Sequence, residues 1–424
     1  MILSSARTLL PTRTTRLRFL AHTRHIVGVM LPLGAAVGLL VALALYCLAH
    51  FEPWVQSVGW RTRLTLLLPA VGLFLTTIWL RFTGLGEVSL GADLDLARTD
   101  PYGAFPFLRS LGKVVGCALT IGFGGSAGTE GPGKWFGAAM GLQYHRVLRT
   151  SANYLGIVRR LARPPLVMAR AGAASALAAV FRAPLSGALM AAENHGHLAA
   201  ESLIPCLVSA ASGYVVFSGL MGYEPLLPLP RGIPTLRARE LFWALGLGLL
   251  CGLASTAYLR AKRALDGLLR KSPLVWRGLA AGVGLSLLAV PGHFLFSDLP
   301  ITEGGGLDLV KVLLQGGTLP GHAMAFLGLK LAATALTFAG GGIGGLWLPS
   351  LTMGCALGTA FDGFAHLGTH GYLTLVGGAA MAGATNESLL VPVVFLAETT
   401  GQAALVVPAL VATTVSYVVV REGG

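Results

Sequence analysis

Lys113–Pro132 reads KVVGCALTIGFGGSAGTEGP, and Lys330–Pro349 reads KLAATALTFAGGGIGGLWLP, an ungapped echo at an offset of 217 (349 − 132). The lysine, the Ala-Leu-Thr triplet, three glycines and the closing proline coincide. A second pair follows at an offset of 205 (377 − 172): GAASALAAVFRAPLSGALMAAE, 172–193, against GGAAMAGATNESLLVPVVFLAE, 377–398, both closing on a glutamate. Two related apolar halves, each with a Gly-rich interruption, are the mark of a repeat-built membrane transporter. In such folds broken helices meet in mid-membrane and aim their positive N-termini at an anion.

The rest of the chain agrees. Its 424 residues are 54% hydrophobic and 12% charged, where a soluble domain carries about 25% charge. This predicts an all-α polytopic membrane protein. Val27–Leu48 is charge-free and long enough to span. The 58 glycines and 22 prolines do not suit straight spans, and about 14–17 embedded helices are expected, several tilted or re-entrant. The boundaries expected are a basic segment over 1–25, repeat 1 over 26–225, a linker over 226–239 containing the Pro-rich Leu226–Ala238, and repeat 2 over 240–424. No soluble domain is expected after the last apolar run.

The net charge of +13 is clustered. Arg7, Arg13, Arg16, Arg18 and Arg24 precede the first span, and Arg260, Lys262, Arg263, Arg270, Lys271 and Arg277 face only Asp266 over 260–277. That pattern follows the positive-inside rule and places both segments in the cytoplasm, against anionic lipid headgroups rather than nucleic acid. The acid-free N-terminus also has transit-peptide composition. The location expected is a bacterial inner membrane. Five scattered cysteines without CxxC, and histidines without ligand spacing, predict no metal, no redox chemistry and no cofactor.

In GGSAGTEGP (124–132) the glycines leave backbone N–H groups unshielded, and a helix starting near Glu130–Pro132 points them inward. Glu130 is then a carboxylate deep in an apolar stretch, which marks an ion or proton path. It can act as a tethered anion that holds the site until protonated or displaced; the plain alternative is a capping glutamate. In GGIGGLWLP (341–349) Trp347 stands where Glu130 does, and the Leu346 and Trp347 amides can meet an anion. GGSAG also fits the G-x-S-x-G pattern of a serine hydrolase, but the second copy has Ile343 at the serine position.

GTEGP (128–132) resembles the GREGP motif, and GLWLP (345–349) the GxFxP motif, of the CLC family of chloride channels and chloride–proton antiporters. RAPLSGALMAAEN (182–194) and GGGLDLVKVLLQGG (304–317) resemble further segments of it, so the likeness runs over roughly 30–420. The chain is identified as a divergent bacterial-type member without C-terminal CBS domains. The resemblance implies two inverted-topology repeats, a homodimer in the bilayer with one anion path per subunit, and no enzymatic activity. It implies a gate at Glu130 and an anion held near Gly84, Leu85 and Gly86, near Gly128 and Gly131, and near Gly345, Leu346 and Trp347.

Departures from the family pattern bear on substrate and coupling. TGLGEVSLG (83–91) replaces GSGIP, so Leu85 stands where a serine hydroxyl is expected. The tyrosine of a final short helix has no counterpart, Tyr417 lying inside the last apolar helix. Thr129 replaces the arginine of GREGP. Asn194 falls where exchangers carry an inner glutamate, so either Glu193 beside it is the proton relay or coupling is lost; the plain alternative for Glu193 and its repeat mate Glu398 is a helix-end carboxylate hydrogen-bonded to backbone. Chloride or a similar small anion, with protons as a possible second ion, is the expected cargo; a fluoride-selective exporter is the alternative.

Overall fold

The computed structural model describes residues 26–62, 64–85, 99–155, 164–194, 197–198, 200–227, 238–296, 299–369 and 371–423. The N-terminal segment over 1–25, most of the linker and Gly86 lie outside the described residues. Among those described there are sixteen α-helices, in two sets of eight that follow the same order. The first set is α1 Leu31–Thr62, α2 Leu68–Thr83, α3 Pro101–Ala104, α4 Phe107–Gly122, α5 Glu130–Leu155, α6 Pro165–Phe181, α7 Pro184–Ala192 and α8 Ala200–Met221. The second is α9 Ala238–Leu269, α10 Leu274–Leu295, α11 Leu307–Gln315, α12 Pro320–Ala339, α13 Trp347–Phe364, α14 Tyr372–Thr385, α15 Val391–Thr400 and α16 Val406–Gly423. The only ladder among the described residues pairs Glu193–Asn194 with His197–Leu198.

Among the described residues, eight helices are long and apolar enough to cross a membrane. The paired α1 and α9 each run 32 residues, about 48 Å of helix against a hydrocarbon core of about 30 Å, so they tilt or project. Others, such as α7 and α15 with 9 and 10 residues, are too short to span. They are tolerated at membrane depth because protein surrounds them.

Lipid supplies no hydrophobic drive for helix pairing, so close approach of small residues does the work. Gly137 and Gly141 of α5 meet the carbonyls of Gly172 and Met168 on α6. Their repeat mates Gly354 and Gly358 of α13 meet the carbonyls of Gly377 and Leu373 on α14 in the same way. A Cβ at any of the four would overlap the opposing backbone. Each half thus packs its broken helix on its neighbour through a G-x-x-x-G edge.

The symmetry extends to single hydrogen bonds. Thr120 Oγ1 accepts from the Ile343 N–H at 3.0 Å, and Thr337 Oγ1 accepts from the Ser126 N–H at 2.9 Å. The threonine of each Ala-Leu-Thr triplet therefore holds the Gly-rich turn of the other half. Gly124 and Gly341 both take φ +92, a left-handed conformation that favours glycine. Two central rungs, Gly128 N–H to the Gly345 carbonyl at 2.8 Å and the reverse at 2.6 Å, join the halves.

Candidate anion site

Glu130 opens α5 and is 2% exposed. Its Oε1 accepts from the N–H groups of Trp347 at 2.8 Å and Leu348 at 3.2 Å, the free donors at the start of α13. Its Oε2 is buried and has no partner among the described residues. One repeat's carboxylate therefore occupies the other repeat's helix terminus. The contact is not returned: the residue 217 positions on is Trp347, which has no acid.

Trp347 lines a cavity of about 280 Å³ with Glu130, Gly131, Lys134, Lys262, Leu346 and Asn386 among its walls. Leu348 lines a second cavity of about 220 Å³, which carries Glu52, Glu303 and Asp308 beside Gly128 and Thr129. The Glu130 carboxylate is bonded to one N–H from the wall of each, Trp347 of the first and Leu348 of the second. One cavity is basic and the other acidic.

The glycines around this carboxylate work by absence of bulk. A Cβ at Gly128 or Gly345 would overlap the Glu130 carboxyl group, and one at Gly131 would stand 2.8 Å from the Gly344 carbonyl oxygen. As anion donors, however, Gly128 and Gly345 need correction. Their N–H groups are spent on each other's carbonyls, so they shape the site and do not donate to it. Leu346 and Trp347 fall where the motif places them, Leu346 at the cap of α13 and lining the cavity. The Leu348 N–H is a site donor the sequence reading missed; the first three N–H groups of any helix are free, and that rule was the available signal.

The Gly84–Gly86 segment is described only as far as Leu85. Gly84 takes φ +64 and closes α2. Leu85 is buried with Leu80, Cys117, Ile121, Ala127 and Ile343 in an apolar cluster, and neither residue lines the cavity below Glu130. Gly86 lies outside the described residues.

Glu193 and Glu398 form a reciprocal clasp. Glu193 Oε2 accepts from the Ser388 hydroxyl at 2.9 Å, just ahead of α15. Glu398 accepts from the N–H groups of Leu185 and Ser186, both at 2.7 Å, and from the Ser186 hydroxyl at 2.6 Å, at the start of α7. Each carboxylate caps the short helix of the opposite half, where the helix dipole favours it.

Ser126 is fully buried, with its hydroxyl 2.9 Å from Thr334 Oγ1. It is packing, not a nucleophile. The four buried cysteines and the exposed Cys47 are all free, and no group of three metal-ligating side chains occurs among the described residues.

Inverted repeats of spanning and broken helices, crossing at helix starts, define a multi-pass membrane transport protein. Residues 96–421 match the family described as Voltage gated chloride channel, and the chain belongs to that family, whose members are channels or transporters and not enzymes. It is 25% identical over 425 residues to a putative chloride channel protein ClcB-like from Ralstonia nicotianae, covering 93% of this chain and 94% of that one. It is 27% identical over 319 residues to the H(+)/Cl(-) exchange transporter ClcA of Vibrio cholerae, covering 70% of this chain and 64% of the relative. A slow cyanobacterial Cl-/H+ antiporter has the same fold, with a TM-score of 0.79 at 20% identity over 94% of this chain and 95% of its own. A CLC-type fluoride/proton antiporter also shares it, with a TM-score of 0.70 at 20% identity over 93% and 96% of the two chains.

Proposed function

We propose that this protein carries a small anion, chloride first, across a bacterial inner membrane, as a homodimer with Glu130 as the gate of each path. One observation carries the reading: Glu130 Oε1 lies on the Trp347 and Leu348 N–H groups while Oε2 is left bare. Two N–H groups at a helix start form an anion site, and a carboxylate on them is a removable stand-in for the anion. Protonation removes its charge and weakens its hold, so acid conditions open the path. The cavity containing Lys134 and Lys262 faces the cytoplasm in this reading, since Lys262 belongs to the basic 260–277 stretch. Residues 26–225 and 240–424 are the two repeat units.

The test is anion efflux from liposomes holding the purified protein, chloride and fluoride side by side, with external pH recorded. Chloride efflux that rises with acid, and that loses its pH dependence in Glu130→Gln, supports the reading. Efflux and pH dependence unchanged in Glu130→Gln and Glu130→Ala would sink it. Fluoride flux with negligible chloride flux replaces the substrate and keeps the gate, and is the result that Leu85, in place of a hydroxyl donor, would explain. Proton movement opposite to the anion, lost in Glu193→Gln, marks an exchanger with Glu193 as its inner carboxylate; anion flux without it marks an uncoupled path.

A further inference from the structure

Two residues that line the cavity below Glu130 have side-chain donors that make no hydrogen bond among the described residues. Lys134 follows Glu130 by one turn of α5, about 6 Å along the axis, and lines the cavity. It makes no hydrogen bond or ion pair among the described residues; the charges within its electrostatic reach are Glu193 and Arg170, of opposite sign. Lys262, the other lysine in the cavity wall, is already paired with Asp266 at 3.6 Å. Trp347 lines the same cavity, is 0% exposed, and its Nε1 has no partner. Phe181 and Phe395 flank its ring at centroid distances of 4.6 and 4.5 Å and fix it in place.

A buried donor without an acceptor is rare in folded proteins, and the Trp347 indole N–H is one. Water can satisfy the indole N–H. An anion in the cavity would accept from both donors and also answer the ammonium's charge, which water does not, and the cavity has room for one. The chain also carries Leu85 where the family pattern has a serine hydroxyl, so donors are needed from elsewhere. We propose that the Lys134 ammonium and the Trp347 indole N–H are the side chains that hold the transported monovalent anion in the cavity below Glu130. This rests on the anion-transport reading above. It adds the residues that set affinity and selectivity, and it gives the tryptophan of GLWLP a role its backbone amide does not cover.

The experiment uses the full chain, purified and reconstituted, as wild type and in the Glu130→Gln background, with Lys134→Met, Lys134→Arg and Trp347→Phe. Chloride binding is read by isothermal titration with sodium chloride, and transport by liposome efflux. Lys134→Met should weaken chloride binding by about tenfold or more, and Trp347→Phe by roughly three- to tenfold, the scale of one hydrogen bond. Lys134→Arg, which keeps the charge, should stay within about threefold of the parent. If the parent neither binds nor carries any anion, the transport reading fails first and this inference falls with it. If the parent carries chloride and both Lys134→Met and Trp347→Phe match its affinity and rate, the inference alone is overturned. Loss of proton movement in Lys134→Met with chloride affinity intact also overturns it, since the lysine would then be handling protons. Should Lys134→Met fail to fold, Trp347→Phe still decides: it removes the N–H while keeping an aromatic ring between Phe181 and Phe395, and its thermal unfolding midpoint separates the cost of the smaller ring from the loss of the donor.

Discussion

At the residue scale, the contact between Glu130 and Gly345 is the most easily tested. A methyl group at Gly345 would overlap the carboxyl group of Glu130, so Gly345→Ala should evict it from the Trp347 and Leu348 N–H groups. Efflux from liposomes should then run faster and lose its pH dependence; a variant that folds and keeps wild-type pH dependence would contradict the placement. The threonine pair gives a prediction about stability. Thr337→Ala leaves the buried Ser126 N–H without its acceptor, which costs about 1–3 kcal/mol, and Thr120→Ala should cost a similar amount by symmetry. Thermal unfolding in detergent measures both, and equal losses are expected from the two halves. Glu130 itself was legible in the sequence, because a carboxylate in an apolar Gly-rich stretch demands an explanation. Gly128 and Gly345 were not read correctly, since a glycine that donates and one that merely makes room look alike until the partner strand is seen.

At the scale of elements, the aligned halves read directly as helices: the offset of 217 puts the start of α5 at Glu130 on the start of α13 at Trp347. Hydropathy marked where helices run, and the Gly-rich breaks marked where they stop. TGLGEVSLG was compared with a motif that opens a helix; of it only Thr83–Leu85 is described, and there Gly84 adopts the left-handed φ that closes α2. Glu193 and Glu398 were legible as paired helix-end carboxylates, but their partners were not, because Glu398 and the start of α7 are 213 and 212 residues apart. The contribution of the clasp can be measured. Glu398→Gln weakens three charge-assisted bonds and should lower stability by about 1.5–3 kcal/mol, seen as a lower unfolding midpoint with the chloride-to-fluoride flux ratio unchanged. A shifted ratio would mean that α7 reaches the ion path itself.

At the scale of the molecule, the exposed surface carries large apolar side chains on outer helices, among them Phe242, Leu249 and Leu253 of α9 and Trp276, Leu287 and Phe294 of α10. A multi-pass protein offers these to lipid, where they cost nothing. The opposite signs of the two cavities predict unequal permeation. Lys134 draws anions in from one side, while Glu52 and Glu303 repel them at the other. In oriented liposomes, anion entry should therefore saturate at lower concentration from the lysine side, and lowering ionic strength should widen the difference. Equal saturation from both sides would count against it.

The acceptor of one half and the donors of the other have a consequence for biosynthesis. Glu130 leaves the ribosome 217 residues before Trp347. At about 5–20 residues per second the wait is roughly 10–40 s. Throughout that interval a carboxylate bound for the interior of an apolar bundle lacks the N–H groups that will receive it. The first half therefore has to remain near water or the insertion machinery until α13 arrives. The lesion most damaging to yield in cells should accordingly be one that delays or derails the second half, even where the first is intact.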